Sequence, residues 1–335
     1  HDKPGIPLYL TANGELLRRA RDFVEKLLRS EARFASPDAD ARTLSPLEVH
    51  EFLAHTFQEF QPFLLSLVPR EQRASFQHSK RIDYPRFRRL WEQRFGKDPR
   101  ARKAHGPDIS WHVIRSYIKG MASEDYLEPD DYAQLPENQR TVSQDVFESV
   151  YGQVWERWYA AVPEQGEWDD QDLARYILEH DLAPRSFSAV FCDEAQDFTR
   201  VELEVLLRLS LYSNRALTTD QVCRVPFAFA GDEFQTLNPT GFRWDSIKAS
   251  FVEKFIFELD PTRRHEKADL NYRELRFNYR STLPIVQFGN VVQALRSATF
   301  AIPSILPQRP WSAGDIAAPV LFFDAADGEF WKTYR

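Results

Sequence analysis

The chain has 335 residues, of which 43% are hydrophobic and 14% aromatic, and its formal net charge is −7. This length predicts two domains, or one large domain with an insertion. No apolar run reaches the length of a membrane span, the N-terminus lacks a signal-peptide pattern, and two cysteines alone cannot form a disulfide framework or a zinc site. The low cysteine content predicts a reducing, intracellular compartment. The acidic balance gives no basic surface over the whole chain, which weakens a nucleic-acid function without excluding it.

The chain starts with a predicted strand and helix. Ile6–Leu10 is short and apolar, Thr11–Gly14 resembles a turn, and the apolar residues from Leu16 to Leu28 recur at helical spacing. Residues 32–44 predict a loop. From about 46 to 185 the sequence is aromatic and helical in spacing, with no strand pattern, which predicts a mainly helical region outside any sheet.

A second alternation of strands and helices begins near residue 187. Apolar runs typical of strands lie at 188–192, 225–232, 253–259 and 318–326, and helical patterns lie between them at 201–212, 245–251 and 283–295. Such alternation predicts an α/β fold with a parallel, doubly wound sheet. The first strand, including residues 8–10, is expected in the same sheet, separated from the rest by the helical insertion.

The strand at 188–192 runs directly into three acids within five positions, in DEAQD at 193–197. In open α/β sheets, ligands bind beyond the carboxyl ends of the strands. Asp193 can hold Mg²⁺ there, directly or through water, because this cation prefers oxygen ligands. Glu194 can orient and deprotonate a water that attacks a γ-phosphate, and Gln196 adds a polar group. The alternative is a helix N-terminus decorated with acids, which the helix dipole favours.

Two further polar groups of residues follow later in the chain. Gly231–Asp232 ends the strand at 225–232, and Gln235 carries a neutral amide that can sense a phosphate. Arg280 precedes the helix at 283–295 and can reach a phosphate with two donors. Taken singly, each is weak, because such turns are common and Arg280 also fits an ordinary surface arginine near a helix cap.

In this order, the three motifs resemble those of the UvrD/Rep-type superfamily 1 helicases. DEAQD is similar to their Walker B motif (motif II), GDEFQ at 231–235 to motif III, and NYRS at 278–281 to motif IV. LYLTANGELLRRA at 8–20 looks like motif Ia. Segments 110–120 and 231–247 are most similar to the helicase-like branch related to TPR-and-ankyrin-repeat-containing proteins.

The resemblance implies a partial RecA-like domain of the P-loop NTPase fold. Residues 1–35 and 186–315 would form its domain 1A, residues 36–185 a helical insertion like subdomain 1B, and residues 316–335 the start of a following segment. No G-x-x-x-x-G-K-[ST] phosphate-binding loop occurs, motifs V and VI are missing, and the chain begins with His1. We therefore expect a piece of a longer protein, cut at both ends.

The resemblance also implies ATP and Mg²⁺ as cofactors. Asp193 would bind the metal, Glu194 would activate water, and Arg280 would act as an arginine finger. Gln235 would contact the γ-phosphate, with Asp232 and Gln196 completing the nucleotide site. These residues are expected to converge on one cleft at the carboxyl edge of the sheet.

The expected partner is single-stranded nucleic acid, with DNA favoured over RNA, together with other domains of the same polypeptide. Thr11 and Asn13 would lie near the nucleic-acid backbone. Phe242 and Trp244 stand about where the family places aromatic residues that stack on bases. The sequence QTLNPTGFRW at 235–244 departs from the commoner QSIYxFRG, so core packing is an equal alternative for these two.

Three functions are compatible with the sequence. The first is part of an ATP-dependent helicase or translocase, favoured by the acidic, glutamine and arginine positions. The second is a non-enzymatic helicase-like module for protein interaction or regulation, favoured by the net charge of −7, the shifted aromatic residues and the missing phosphate-binding loop. The third, a metal-dependent nuclease, is disfavoured because no lysine accompanies the acids.

Overall fold

A computed structural model describes residues 5–34, 45–136, 139–211, 227–232, 274–300 and 306–311. The chain divides into two compact units, His1–Asp269 and Leu270–Arg335, and each is described by itself. This division falls within residues 186–315, which the sequence analysis had treated as one piece. Among the described helices, none is both long and apolar enough to cross a membrane.

The first unit contains a parallel sheet of four strands in the order β2-β1-β3-β4. Leu10 of β1 is paired with Gln58 of β2 and Cys192 of β3, and Cys192 is paired with Phe229 of β4. This pairing confirms the predicted α/β class with a parallel sheet, and it confirms that residues 8–10 share that sheet. The strands are β1 (Pro7–Thr11), β2 (Phe57–Glu59), β3 (Ala189–Cys192) and β4 (Phe227–Phe229).

Strand β2 lies inside residues 36–185, where the sequence predicted no strand and a position outside the sheet. That expectation was wrong for this segment. The helices α2 (Pro46–Thr56) and α3 (Phe60–Leu67) join β2 without a linker. Three residues are too few to show the alternation that marks a strand in sequence. Their place is fixed by pairing with β1, since Tyr9 is opposite Phe57 and their rings lie 5.1 Å apart.

Helices cover both faces of the sheet. Side chains of a strand alternate between these two faces, and apolar side chains of the strands are packed against helices on each of them. Leu8, Leu10 and Val190 are fully buried on one face, in a cluster with residues of α3, α9 (Asp170–Glu179) and α10 (Arg200–Arg208). On the other face, Tyr9 packs with Val49 and Leu53 of α2 and with helix α1 (Gly14–Phe34). Helix α1 extends past residue 30, where the predicted strand and helix end, so residues 32–34 of the predicted loop are helical. Residues 35–44 of that predicted loop lie outside the described part.

The rest of the helical region has an aromatic core of its own. Tyr132 and Phe147, for example, stack with ring centroids 4.1 Å apart. Two helices continue into π-helical segments, Val113–Ile118 and Tyr151–Trp155. This region confirms the predicted helical character. Its α-helices are α4 (Tyr84–Phe95), α5 (Pro99–His105), α6 (Pro107–His112), α7 (Pro129–Gln134) and α8 (Gln144–Val150).

The second unit has a short parallel pair, β5 (Phe277–Asn278) and β6 (Arg309–Pro310), and the helix α11 (Leu283–Phe300). The helix agrees with the pattern predicted at 283–295. The predicted helix at 245–251 and the predicted strands at 253–259 and 318–326 lie outside the described residues. The domain boundaries implied by the helicase resemblance stay a prediction.

Candidate functional site

The acidic motif begins where the central strand β3 ends. The backbone N–H of Asp193 donates to the carbonyl of Leu10 at 3.0 Å, which extends the β1–β3 pairing by one residue. Because all four strands are parallel, their carboxyl ends lie at the same edge of the sheet. Asp193 and Glu194 therefore lie at this edge, between the ends of β1 and β4, as the sequence predicted.

Both carboxylate oxygens of Asp193 accept hydrogen bonds. The Tyr9 hydroxyl donates to Oδ2 at 2.8 Å, and the backbone N–H of Glu194 donates to Oδ1 at 3.0 Å. Burial, and then the hydrogen bond to Asp193, raise the pKa of Tyr9 far above its usual range, so its hydroxyl stays a donor. Each carboxylate oxygen retains a second lone pair, which leaves Asp193 able to accept further donors or a cation.

Glu194 has a left-handed backbone conformation, with φ 54° and ψ 42°. Such angles are uncommon for a residue other than glycine and typically cost ~1–3 kcal/mol. Hydrogen bonds on both sides maintain the turn, since Asp197 N–H donates to the Glu194 carbonyl at 2.9 Å and Ala195 N–H donates to Ala230 at 2.8 Å. We call residues 193–197 the acidic loop.

Gln196 joins the acidic loop to the end of β4. Its side chain is 1% exposed, and its Nε2 donates to Glu194 Oε2 at 2.5 Å while its Oε1 accepts the backbone N–H of Asp232 at 3.0 Å. A Cβ at Gly231 would lie 2.5 Å from that Oε1, so only glycine allows this approach. The structure thus brings four predicted site residues together: Asp193, Glu194, Gln196 and Asp232.

Asp197 connects the acidic loop to the helical region. Burial, followed by the nearby charge of Glu194, raises its pKa, and Arg115 opposes the shift. Arg115 belongs to the π-helical segment Val113–Ile118. Its Nη2 donates to the Asp197 carbonyl at 3.1 Å and forms an ion pair with Glu202 at 3.1 Å. In the part of the chain that the structure describes, Asp197 Oδ1 is buried without a hydrogen-bond partner.

Three residues near the site were not found by sequence reasoning. Tyr9 and Arg115 reach the acidic loop across 184 and 82 residues, and no local pattern encodes contacts over such separations. Glu59 ends β2 at the same edge and was missed with that strand. The apolar and aromatic pattern of LYLT gave no signal that Tyr9 carries a polar contact.

Thr11 and Asn13 are predicted near nucleic acid. Thr11 is the last residue of β1, and Asn13 directly precedes helix α1. Thr11 is fully buried and its hydroxyl accepts the Asn13 N–H at 3.2 Å. Asn13 Oδ1 accepts the N–H groups of Glu15 and Leu16, as a helix N-cap does. These contacts give both side chains a structural role, and their contact with nucleic acid stays a prediction.

The structure does not test the remaining predicted residues at this site. Gln235, Phe242 and Trp244 lie outside the described residues. Arg280 belongs to the second unit, where its N–H and that of Ser281 donate to Asn278 Oδ1 just before α11. Its predicted approach to Asp193 stays a prediction.

The carboxylates of Asp193 and Glu194 are the groups at this edge that could hold Mg²⁺. Among the described residues, no three His, Cys, Asp or Glu side chains are grouped as a metal cage would require. Mg²⁺ in phosphate-transfer sites uses one or two carboxylates and otherwise waters and phosphate oxygens. The carboxylates of Asp193 and Glu194 meet that smaller requirement.

Comparison of the sequence with protein-family models gives no match, and comparison with curated proteins gives no match either. The functional interpretation therefore rests on two observations. One is the order of the short motifs at 193–197, 231–235 and 278–281. The other is the geometry of the acidic loop, in which Asp193 and Glu194 follow the end of a central parallel strand.

Proposed function

We propose that this chain is part of an ATP-dependent motor that moves on single-stranded nucleic acid, with DNA favoured over RNA. One observation carries the proposal: Asp193 and Glu194 follow the central parallel strand, and Gln196 ties Glu194 to Asp232 at the end of the neighbouring strand. The four-stranded parallel sheet with helices on both faces supports a RecA-like domain as the finer form of this fold.

The proposal gives each residue of the acidic loop a separate task. Asp193, whose carboxylate accepts a hydrogen bond from the Tyr9 hydroxyl, would bind Mg²⁺ through a free lone pair. Glu194 would take a proton from the attacking water, and Gln196 would fix the orientation of its carboxylate. Bound Mg²⁺–ATP would supply the reacting γ-phosphate and the charge that stabilises its transfer.

Nucleic-acid-dependent hydrolysis tests the motor in the longer protein that is expected from the sequence. ATP turnover is measured with magnesium alone, with single-stranded DNA and with single-stranded RNA of equal length. We expect turnover to rise with single-stranded DNA, and to rise less with RNA. Equal turnover with and without either polymer would contradict the motor, even if ATP is hydrolysed.

A second candidate is a non-enzymatic module for protein interaction or regulation. It is favoured by one specific observation: the carboxylates of Asp193 and Glu194 already accept hydrogen bonds from Tyr9 and Gln196 within the chain. Equilibrium titration of the longer protein with Mg²⁺–ATP separates the two. Saturable nucleotide binding supports the motor, and its absence supports the module.

A further inference from the structure

The π-helical segment Val113–Ile118 contacts the acidic loop through one arginine. Arg115 Nη2 donates to the Asp197 carbonyl at 3.1 Å and lies 3.1 Å from Glu202 Oε2. The Arg115 side chain is 16% exposed and that of Glu202 is 2% exposed. Water therefore screens this ion pair little, and loss of either partner would leave a buried charge.

Glu202, the partner of Arg115, fixes the start of helix α10. Its Oε2 accepts the Thr199 N–H at 2.7 Å, and Thr199 Oγ1 accepts the Glu202 N–H at 3.3 Å, which forms a capping box. Arg115 thus contacts two points that follow each other in the chain, the last residue of the acidic loop and the cap of the next helix. These two contacts restrain the segment between them.

The segment that carries Arg115 is itself firmly held. Lys119 is 1% exposed and lies 2.6 Å from both Asp169 and Asp172. The Val201 N–H donates to the Gly120 carbonyl at 3.1 Å, and a Cβ at Gly120 would lie 3.0 Å from Thr199. These contacts fix the backbone next to Arg115, so the Arg115 side chain can restrain the acidic loop.

The contacts of Arg115 do not use all of its donors. Its Nη1 is buried and has no hydrogen-bond partner in the described part of the chain, and buried unpaired donors are rare in proteins. The restraint it exerts passes along the backbone, because Arg115 donates to the Asp197 carbonyl and the Asp197 N–H donates to the Glu194 carbonyl at 2.9 Å.

We infer that Arg115 is a positioning residue that keeps Glu194 in its left-handed conformation, and so couples the helical region to the candidate site. This inference rests on the proposed function for its catalytic consequence, but not for the restraint itself. Arg115 acts through Asp197 and does not touch reacting atoms. In the longer protein, its loss should slow the chemical step more than it weakens nucleotide binding.

Two variants and one control test the restraint. Arg115→Met removes the charge and both contacts, whereas Arg115→Lys keeps a charge that can reach one of them. Arg81→Met is the control, since Arg81 is also partly buried, at 25% exposed, but pairs with Asp170 instead of the acidic loop.

The first readout is hydrogen exchange of the Ala195 and Asp197 amides in the full chain, corrected for the change in global stability. For Arg115→Met we expect exchange faster by ~10-fold or more, which corresponds to losing about one hydrogen bond to a charged group. Arg115→Lys should restore part of the protection, and Arg81→Met should leave it unchanged. Unchanged exchange in Arg115→Met, or an equal increase in Arg81→Met, overturns the inference.

The second readout is ATP hydrolysis by the longer protein. Arg115→Met should lower kcat by roughly 10-fold while KM for ATP stays within about 3-fold, as expected when positioning, rather than binding, is lost. Normal kcat despite faster loop exchange overturns the coupling. If the unaltered longer protein hydrolyses no ATP, the proposed function fails, and the exchange experiment alone still supports or overturns the restraint.

Discussion

Glu194 has a backbone conformation that its own side chain disfavours, at the position predicted to activate water. Strained residues of this kind concentrate at functional sites, where the surrounding structure keeps them in place. Here the turn is held by Asp197 and by Ala230, which accepts from the Ala195 N–H. The strain is therefore maintained by both the acidic loop and Ala230, the residue that follows strand β4.

A pair of substitutions measures this strain. Glu194→Gly and Glu194→Ala remove the same carboxylate, but only glycine adopts φ 54° freely. We expect Glu194→Gly to be more stable than Glu194→Ala by ~1 kcal/mol in the free energy of unfolding, measured in urea. Elsewhere in regular structure alanine is normally the more stable of the two, so the reverse order would show that Glu194 is not strained.

Tyr9 gives a second test of a single contact. Tyr9→Phe removes the hydroxyl that donates to Asp193 and leaves the ring packed on Phe57. We expect the free energy of unfolding to fall by ~1.5–3 kcal/mol, as for loss of one hydrogen bond to a charged group. Tyr126→Phe serves as the control because Tyr126 is 40% exposed. An equal loss in the two variants would argue against a specific Tyr9–Asp193 contact.

At the scale of elements, buried ionisable groups lie where the π-helical segment Val113–Ile118 meets the start of α9, and their protonation changes with pH. Burial and the adjacent Asp169 raise the pKa of Asp172 from 3.8 to about 6, whereas Lys119 holds the pKa of Asp169 below 3.8. Between about pH 4 and pH 6 the folded protein keeps a proton on Asp172 that the unfolded chain has lost. Asp172 therefore favours folding at the acidic end of this window, and its contribution decreases as pH rises through 6.

Asp172→Asn should remove this pH dependence. We expect the difference in unfolding free energy between the variant and the unaltered chain to change steadily from pH 4 to pH 6, with the variant gaining relative stability as pH rises. Urea unfolding at half-unit steps of pH gives the difference. A difference that stays constant across the window would contradict the raised pKa.

Secondary-structure elements with long apolar patterns could be predicted from the sequence, and elements with short patterns could not. The apolar runs before Asp193 and around Leu8 are long enough to mark strands, and both were found. Strand β2 has three residues and was missed. The π-helical segments were also missed, because their apolar residues read like those of an α-helix. The contacts of Tyr9 and Arg115 depend on tertiary packing, which local spacing does not encode.

At the scale of the whole molecule, the described site lies in the first unit, whereas Arg280 belongs to the second. No G-x-x-x-x-G-K-[ST] occurs in the 335 residues, so no phosphate-binding loop of that type stabilises the β- and γ-phosphates. We therefore expect the 335-residue chain alone not to hydrolyse ATP at a measurable rate. Magnesium-dependent turnover that Glu194→Gln abolishes in this chain would show that the missing loop is dispensable.

We propose that the acidic loop is the hydrolytic site of a nucleotide-driven motor, and two substitutions in the longer protein test this role. ATP binding and single-turnover hydrolysis are measured for Glu194→Gln and for the control Glu59→Gln, which alters an exposed acid at the same edge of the sheet. We predict that Glu194→Gln binds ATP normally and hydrolyses it ~10²–10⁴-fold more slowly, while Glu59→Gln retains hydrolysis. Normal hydrolysis by Glu194→Gln would show that the acidic loop is not the hydrolytic site.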